Sequence, residues 1–173
     1  MTGKVHSGRL HRDQSGATAV EFALLIGPFL FLLLGVLEVS IHYFVSTAVD
    51  YAVQRTARLV RTGQAQTQDL VVDDLRQAMC DDILNLFDCE SNSYITIEEL
   101  DSLNASTYVL PVNSSGTFIA DQTIEMGLGG SYVIVRGFFQ FSPLLDVFGA
   151  LKPRLNNGNH LVVASVLFRN EPF

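Results

Sequence analysis

The chain has 173 residues, 48% of them hydrophobic, a mean hydropathy of +0.28 and a formal charge of -7; this accommodates one modest domain plus a membrane segment, but not two globular domains. The charge is uneven, because Lys4, Arg9 and Arg12 against Asp13 leave the first sixteen residues at +2 and the remainder at -9. An acidic body lacks the lysine and arginine surface that displaces counterions from phosphates, which argues against nucleic acid as a partner.

From Ala17 to Ile41 the chain reads ATAVEFALLIGPFLFLLLGVLEVSI, with no charge between Phe22 and Leu37. About 20 apolar residues in a helix cross a bilayer core about 30 Å thick, so residues 17–41 are expected to form a transmembrane helix. A cleaved signal peptide has a shorter apolar core and a small-residue cleavage site after it, and neither is present here. The positive-inside rule puts the short basic segment on the cytoplasmic side and the rest of the chain in the periplasm of a bacterium.

Residues Arg12 to Phe22, RDQSGATAVEF, place Gly16 at the end of a polar leader and Glu21 at the fifth position after it. This resembles the processing site of type IV prepilins, in which a prepilin peptidase cuts after the glycine. Residues 1–16 are then a leader, and Gly16, Ala17, Glu21 and Phe22 make up the processing site. A carboxylate inside a membrane helix costs about 2.5 to 3.5 kcal/mol on insertion scales, so Glu21 needs a compensating partner. In the pilin family that partner is the new N-terminal amine, here on Ala17, and the helix dipole favours a carboxylate in the first turn as well.

The stretch GATAVEFALLIGPFLFLLLGVLE, its continuation AVQRTARLVRTGQ and the terminal RNEPF resemble the TadE-like family of the tight adherence (Flp, type IVb) pilus system. The resemblance implies a minor pseudopilin that assists pilus assembly. It also implies contacts with a prepilin peptidase, the Flp major pilin, a TadF-like pseudopilin, the inner-membrane assembly platform and membrane lipid, and leaves open incorporation into the pilus. The competing class is a periplasmic binding module tethered by the same helix, with or without calcium dependence.

Beyond the membrane the helix is expected to continue through His42 to Thr62, burying Phe44, Val45, Ala48, Val49, Ala52 and Leu59 and exposing Asp50, Gln54, Arg58 and Arg61. Gly63 is the expected C-cap. A second helix is expected over Gln68 to Phe87, with Asp69, Asp73 and Asp74 towards its N-terminal end. Cys80 and Cys89, the only two cysteines, suggest a disulfide in an oxidising compartment. Buried free thiols are the alternative, and a metal site is disfavoured because two cysteines without nearby histidines make half a zinc site.

DCESNSYITIEE, from Asp88 to Glu99, can be laid on the calcium loop of an EF-hand with Asp88, Glu90, Asn92, Tyr94, Thr96 and Glu99 as ligands. Ser93 stands where the loop wants glycine, and the competing reading makes Tyr94 to Ile97 a strand; no metal site is assigned. Strands are expected over Thr107 to Val112, Thr117 to Ile124, Tyr132 to Phe141 and Leu161 to Phe168, with turns at Asn113 to Gly116, Gly127 to Ser131 and Asn156 to Asn159. Ser142 to Pro153 reads as an apolar loop or short helix. His6, His11, His42 and His160 are scattered and no nucleophile motif occurs, so neither an enzyme nor a cofactor is expected. The fold expected is α+β and pilin-like: a long N-terminal helix through the membrane, a second helix and a small antiparallel sheet, with residues 42–173 as the periplasmic part.

Overall fold

The computed structural model describes residues 15–83, 88–101, 109–119, 122–143 and 155–173. Lys4, Arg9 and Arg12 of the leader, and most of Ser142 to Pro153, lie outside them. The elements are α1 (Ser15–Arg61), α2 (Gln64–Thr67), α3 (Val72–Asp82), α4 (Cys89–Asn92), β1 (Ser93–Leu100), β2 (Tyr132–Phe141) and β3 (His160–Arg169). The α+β expectation holds. Contacts divide the chain into two units at Leu37/Glu38.

In the second unit the helical period does what the sequence asks of it. Val45, Val49, Ala52, Val53, Thr56, Ala57 and Val60 are buried, at the three- and four-residue spacing that puts them on one face. Thr56 is tolerated there because its hydroxyl donates to the Ala52 carbonyl at 3.0 Å. Phe44 departs from expectation and is exposed; one residue from Val45, it is turned about 100° away from the packing stripe. The helix ends at Arg61, and Gly63 takes a left-handed φ of 76°, the conformation a side chain resists and glycine does not.

The second helix is shorter than expected. Asp69 has a φ of 50° and Val71 is extended, so helix cannot run through 68–71, and the N-terminus falls at Val72. There the Asp74 carboxylate accepts the Val71 N–H at 3.0 Å, satisfying one of the amides a helix start leaves without a partner. α3 ends at Asp82, and residues 84–87 are not among those described.

The sheet is antiparallel with strand order β1-β2-β3. Ile97 opposes Val135, and Val135 opposes Val166. β2 is the central strand and is buried from Val133 to Phe141, as expected of a strand covered on both faces. Gly137 lets α1 approach one face: a Cβ at Gly137 would lie 2.3 Å from Val53 Cγ2 and 3.2 Å from Met79 Sδ. On the other face Phe118 stacks between Tyr94 and Phe138, with ring centroids 4.8 and 5.4 Å away.

Two expected strands are reduced to single bridges, Val112 with Phe118 and Ile97 with Ile124; residues 102–108 and 120–121 are not described. The physical reason is the turn between them. Asn113 Oδ1 accepts the N–H groups of Ser115 and Thr117, and the Asn156 N–H donates to the Gly116 carbonyl at 2.9 Å, so turn bonds hold this segment beside a short pairing made by the Asn113 N–H to the Thr117 carbonyl and the Ile119 N–H to the Pro111 carbonyl.

The EF-hand reading of Asp88 to Glu99 is overturned, and the strand reading stands in extended form. Residues Cys89–Asn92 make one helical turn and Ser93–Leu100 is β1, so Tyr94 and Thr96 fall on one face of a strand and Glu99 on the other, and the would-be ligands do not converge on one ion. Glu98 pairs instead with Arg136 at 2.8 Å, and Glu99 accepts a hydrogen bond from Ser131 Oγ.

Candidate membrane-anchoring and assembly segment

Within the first unit, from Gly16 to Leu37, nearly every side chain is exposed, with Phe22 at 65% and Leu32 at 67%. This helix is long and apolar enough to cross a membrane. A stretch of some twenty apolar residues with nothing packed on them is far outside what a soluble surface carries. Exposure combined with length is what separates a span from a core helix of similar composition.

Gly16, Ala17, Glu21 and Phe22 all lie in this exposed part of α1, and a side chain added at Gly16 would meet nothing within 4 Å. Glu21 has no hydrogen-bonding or ionic partner among the described residues. Glu21 lies beyond the first turn of α1 as described from Ser15, a turn that holds no acidic residue. At the other end of the apolar run Tyr43 and Phe44 are 74% and 54% exposed. The exposure of Phe44 was missed because helical period alone assigned it to the core.

Gly63 and the terminal RNEPF, far apart in the chain, come together. The Glu171 N–H donates to the Arg61 carbonyl at 2.9 Å, closing the C-terminal end of α1, and the two side chains form a 3.2 Å ion pair. A Cβ on Gly63 would fall 2.5 Å from the Phe173 ring. Buried Asn170 donates to the carbonyls of Met126 and Leu128 at 2.8 and 3.0 Å, and Arg169 Nε donates to the Gly130 carbonyl at 2.8 Å. These residues fasten the last strand to the end of the long helix, a pairing for which the sequence offered only the resemblance.

Cys80 and Cys89 are joined as a disulfide between α3 and α4, both half-cystines are buried, and Ser93 Oγ donates to Cys80 Sγ at 3.2 Å. Two of the four scattered histidines converge: the rings of His42 and His160 lie 5.9 Å apart, each beside Phe141 at 5.5 and 5.7 Å. Sequence separation had hidden this. No group of three or more metal-ligating side chains occurs among the described residues.

No curated protein and no solved structure matches the chain. A family model described as TadE-like protein matches residues 16–58, which takes in Gly16, Glu21, the whole apolar run and most of the remaining α1 but leaves RNEPF outside. Over residues 16–58, in the exposed helix and its continuation, the chain is similar to the TadE-like family.

Proposed function

We propose that the chain is a minor pseudopilin of a Tad (Flp, type IVb) pilus system. It is held in the bacterial inner membrane by residues 17–41, with its basic N-terminal segment in the cytoplasm and residues 42–173 in the periplasm. The observation that carries this reading is the exposed, charge-free run of α1 with one carboxylate, Glu21, placed five residues after Gly16 inside the TadE-like match. A prepilin peptidase cuts between Gly16 and Ala17. The new amine lies one helical turn from Glu21, close enough to offset the cost of a carboxylate at membrane depth. A disulfide between Cys80 and Cys89 suits the oxidising side of that membrane. The role is assembly rather than catalysis, through contacts with the Flp major pilin, a TadF-like pseudopilin and the inner-membrane platform.

The experiment is Glu21→Ala in the host, scored by surface pili and by co-purification with the Flp pilin, with membrane-fraction abundance as control. Loss of pili at normal abundance supports the reading. Unchanged pili and unchanged partner contacts contradict it and leave a tethered periplasmic head.

A further inference from the structure

Among the described residues β3 is an edge strand, and its outward hydrogen-bonding groups can be identified. The Ile97 N–H donates to the Thr123 carbonyl, and the Ile97 carbonyl accepts from the Glu125 N–H, both at 2.8 Å. Ile97 therefore turns its backbone groups away from β2, so its partner Val135 turns towards β3 and bonds with Val166. By alternation, Val162, Ala164, Val166 and Phe168 bond inward while Val163, Ser165 and Leu167 point their N–H and C=O groups outward. The Asn170 N–H, which donates to the Ser131 carbonyl at 2.8 Å, agrees with that parity. Among the described residues, the outward groups of Val163, Ser165 and Leu167 have no partner, and the edge is open there, with Leu167 44% exposed.

Leu161 to Phe168, LVVASVLF, contains no charge and no proline, so it lacks the devices with which proteins usually protect a free edge. Along this edge runs an open groove of about 780 Å³ between Ser165–Phe168 and the last turns of α1. Arg58 and Arg61 line its helical wall. Arg58 is exposed and has no ionic partner among the described residues, while Arg61 shares Glu171 with solvent at 3.2 Å.

We infer that β3 and this groove receive an extended, carboxylate-bearing strand of another protein, which adds to the sheet as a fourth strand. The outward groups of Val163, Ser165 and Leu167 supply its main-chain bonds, and Arg58 selects an acidic side chain from it. A second copy of this chain paired β3 to β3 fits worse, because the two-fold relation would bring both sets of Arg58 and Arg61 to one seam. This inference does not depend on the pilus reading; it would serve a tethered head equally.

The test uses the full chain in detergent micelles and three labelled eight-residue probes of alternating Thr and Val. One carries a central Glu, one a central Lys, and one is the Glu probe with N-methylation at alternate residues. The Glu probe binds about fivefold or more tightly than the Lys probe, as one half-exposed ion pair replaced by a repulsion allows, and the methylated probe does not bind. Arg58→Glu reverses the preference without touching the strand. Ser165→Pro abolishes binding while removing only an outward N–H, so the sheet keeps its ladder. No binding of the Glu probe at millimolar concentration overturns the inference, as does equal affinity for the charge variants or binding that survives Ser165→Pro. Self-association of the full chain that Ser165→Pro abolishes also overturns it, in favour of a second copy.

Discussion

Gly137 shows how one missing side chain sets the distance between helix and sheet. Its place in the middle of a strand is intrinsically unfavourable, and is compensated because Val53 occupies the space a Cβ would take. Gly137→Ala is expected to destabilise the protein by about 1 to 3 kcal/mol, and Val53→Ala in the same chain to recover part of that loss; thermal unfolding of the three variants in micelles measures both. The cystine is a simpler case. Cys80→Ser with Cys89→Ser closes no loop in the unfolded chain, and about 2 to 3 kcal/mol of stability is lost in the chain-entropy model, read by denaturant midpoint. The two cysteines were legible because an even count and a close spacing are local signals. Gly137 was not legible, because a glycine in a strand announces a close approach without saying what approaches.

At the level of elements, periodicity located β2 within its observed bounds and β3 to within one residue at each end. It failed where the backbone is decided by special conformations: Asp69 at positive φ shortened the second helix, and side-chain turns around Asn113 replaced two expected strands with bridges. β-propensity reports only that a residue suits a pleated, half-buried surface; whether a neighbouring strand is available is a tertiary matter. For α1 the decisive property is its uninterrupted apolar length. Leu32→Arg should cost about 2.5 to 3.5 kcal/mol of insertion free energy, and alkaline extraction of membranes should find less of the variant in the pellet than of the parent chain. A conservative Leu32→Ile, equally apolar, should stay with the membrane.

For the molecule as a whole, two units with opposite solvent needs share one chain. The first exposes an apolar helix; the second has a core assembled from α1, α3 and all three strands. Composition and hydropathy were enough to single out the apolar run, expected to end at Ile41, since such a run cannot belong to a soluble surface; the contacts divide the chain at Leu37/Glu38. Composition and hydropathy could not foresee that RNEPF would close over the end of α1, or that His42 and His160 would meet beside Phe141, because such contacts join residues more than a hundred positions apart.

On the function proposed above, this helix is a processed pseudopilin anchor and not merely a tether. The most direct measurement is the intact mass and N-terminal peptide of the protein purified from membranes of its host. A mature chain beginning at Ala17 is the expected result; a chain that retains residues 1–16 in cells with an active prepilin peptidase rules out processing.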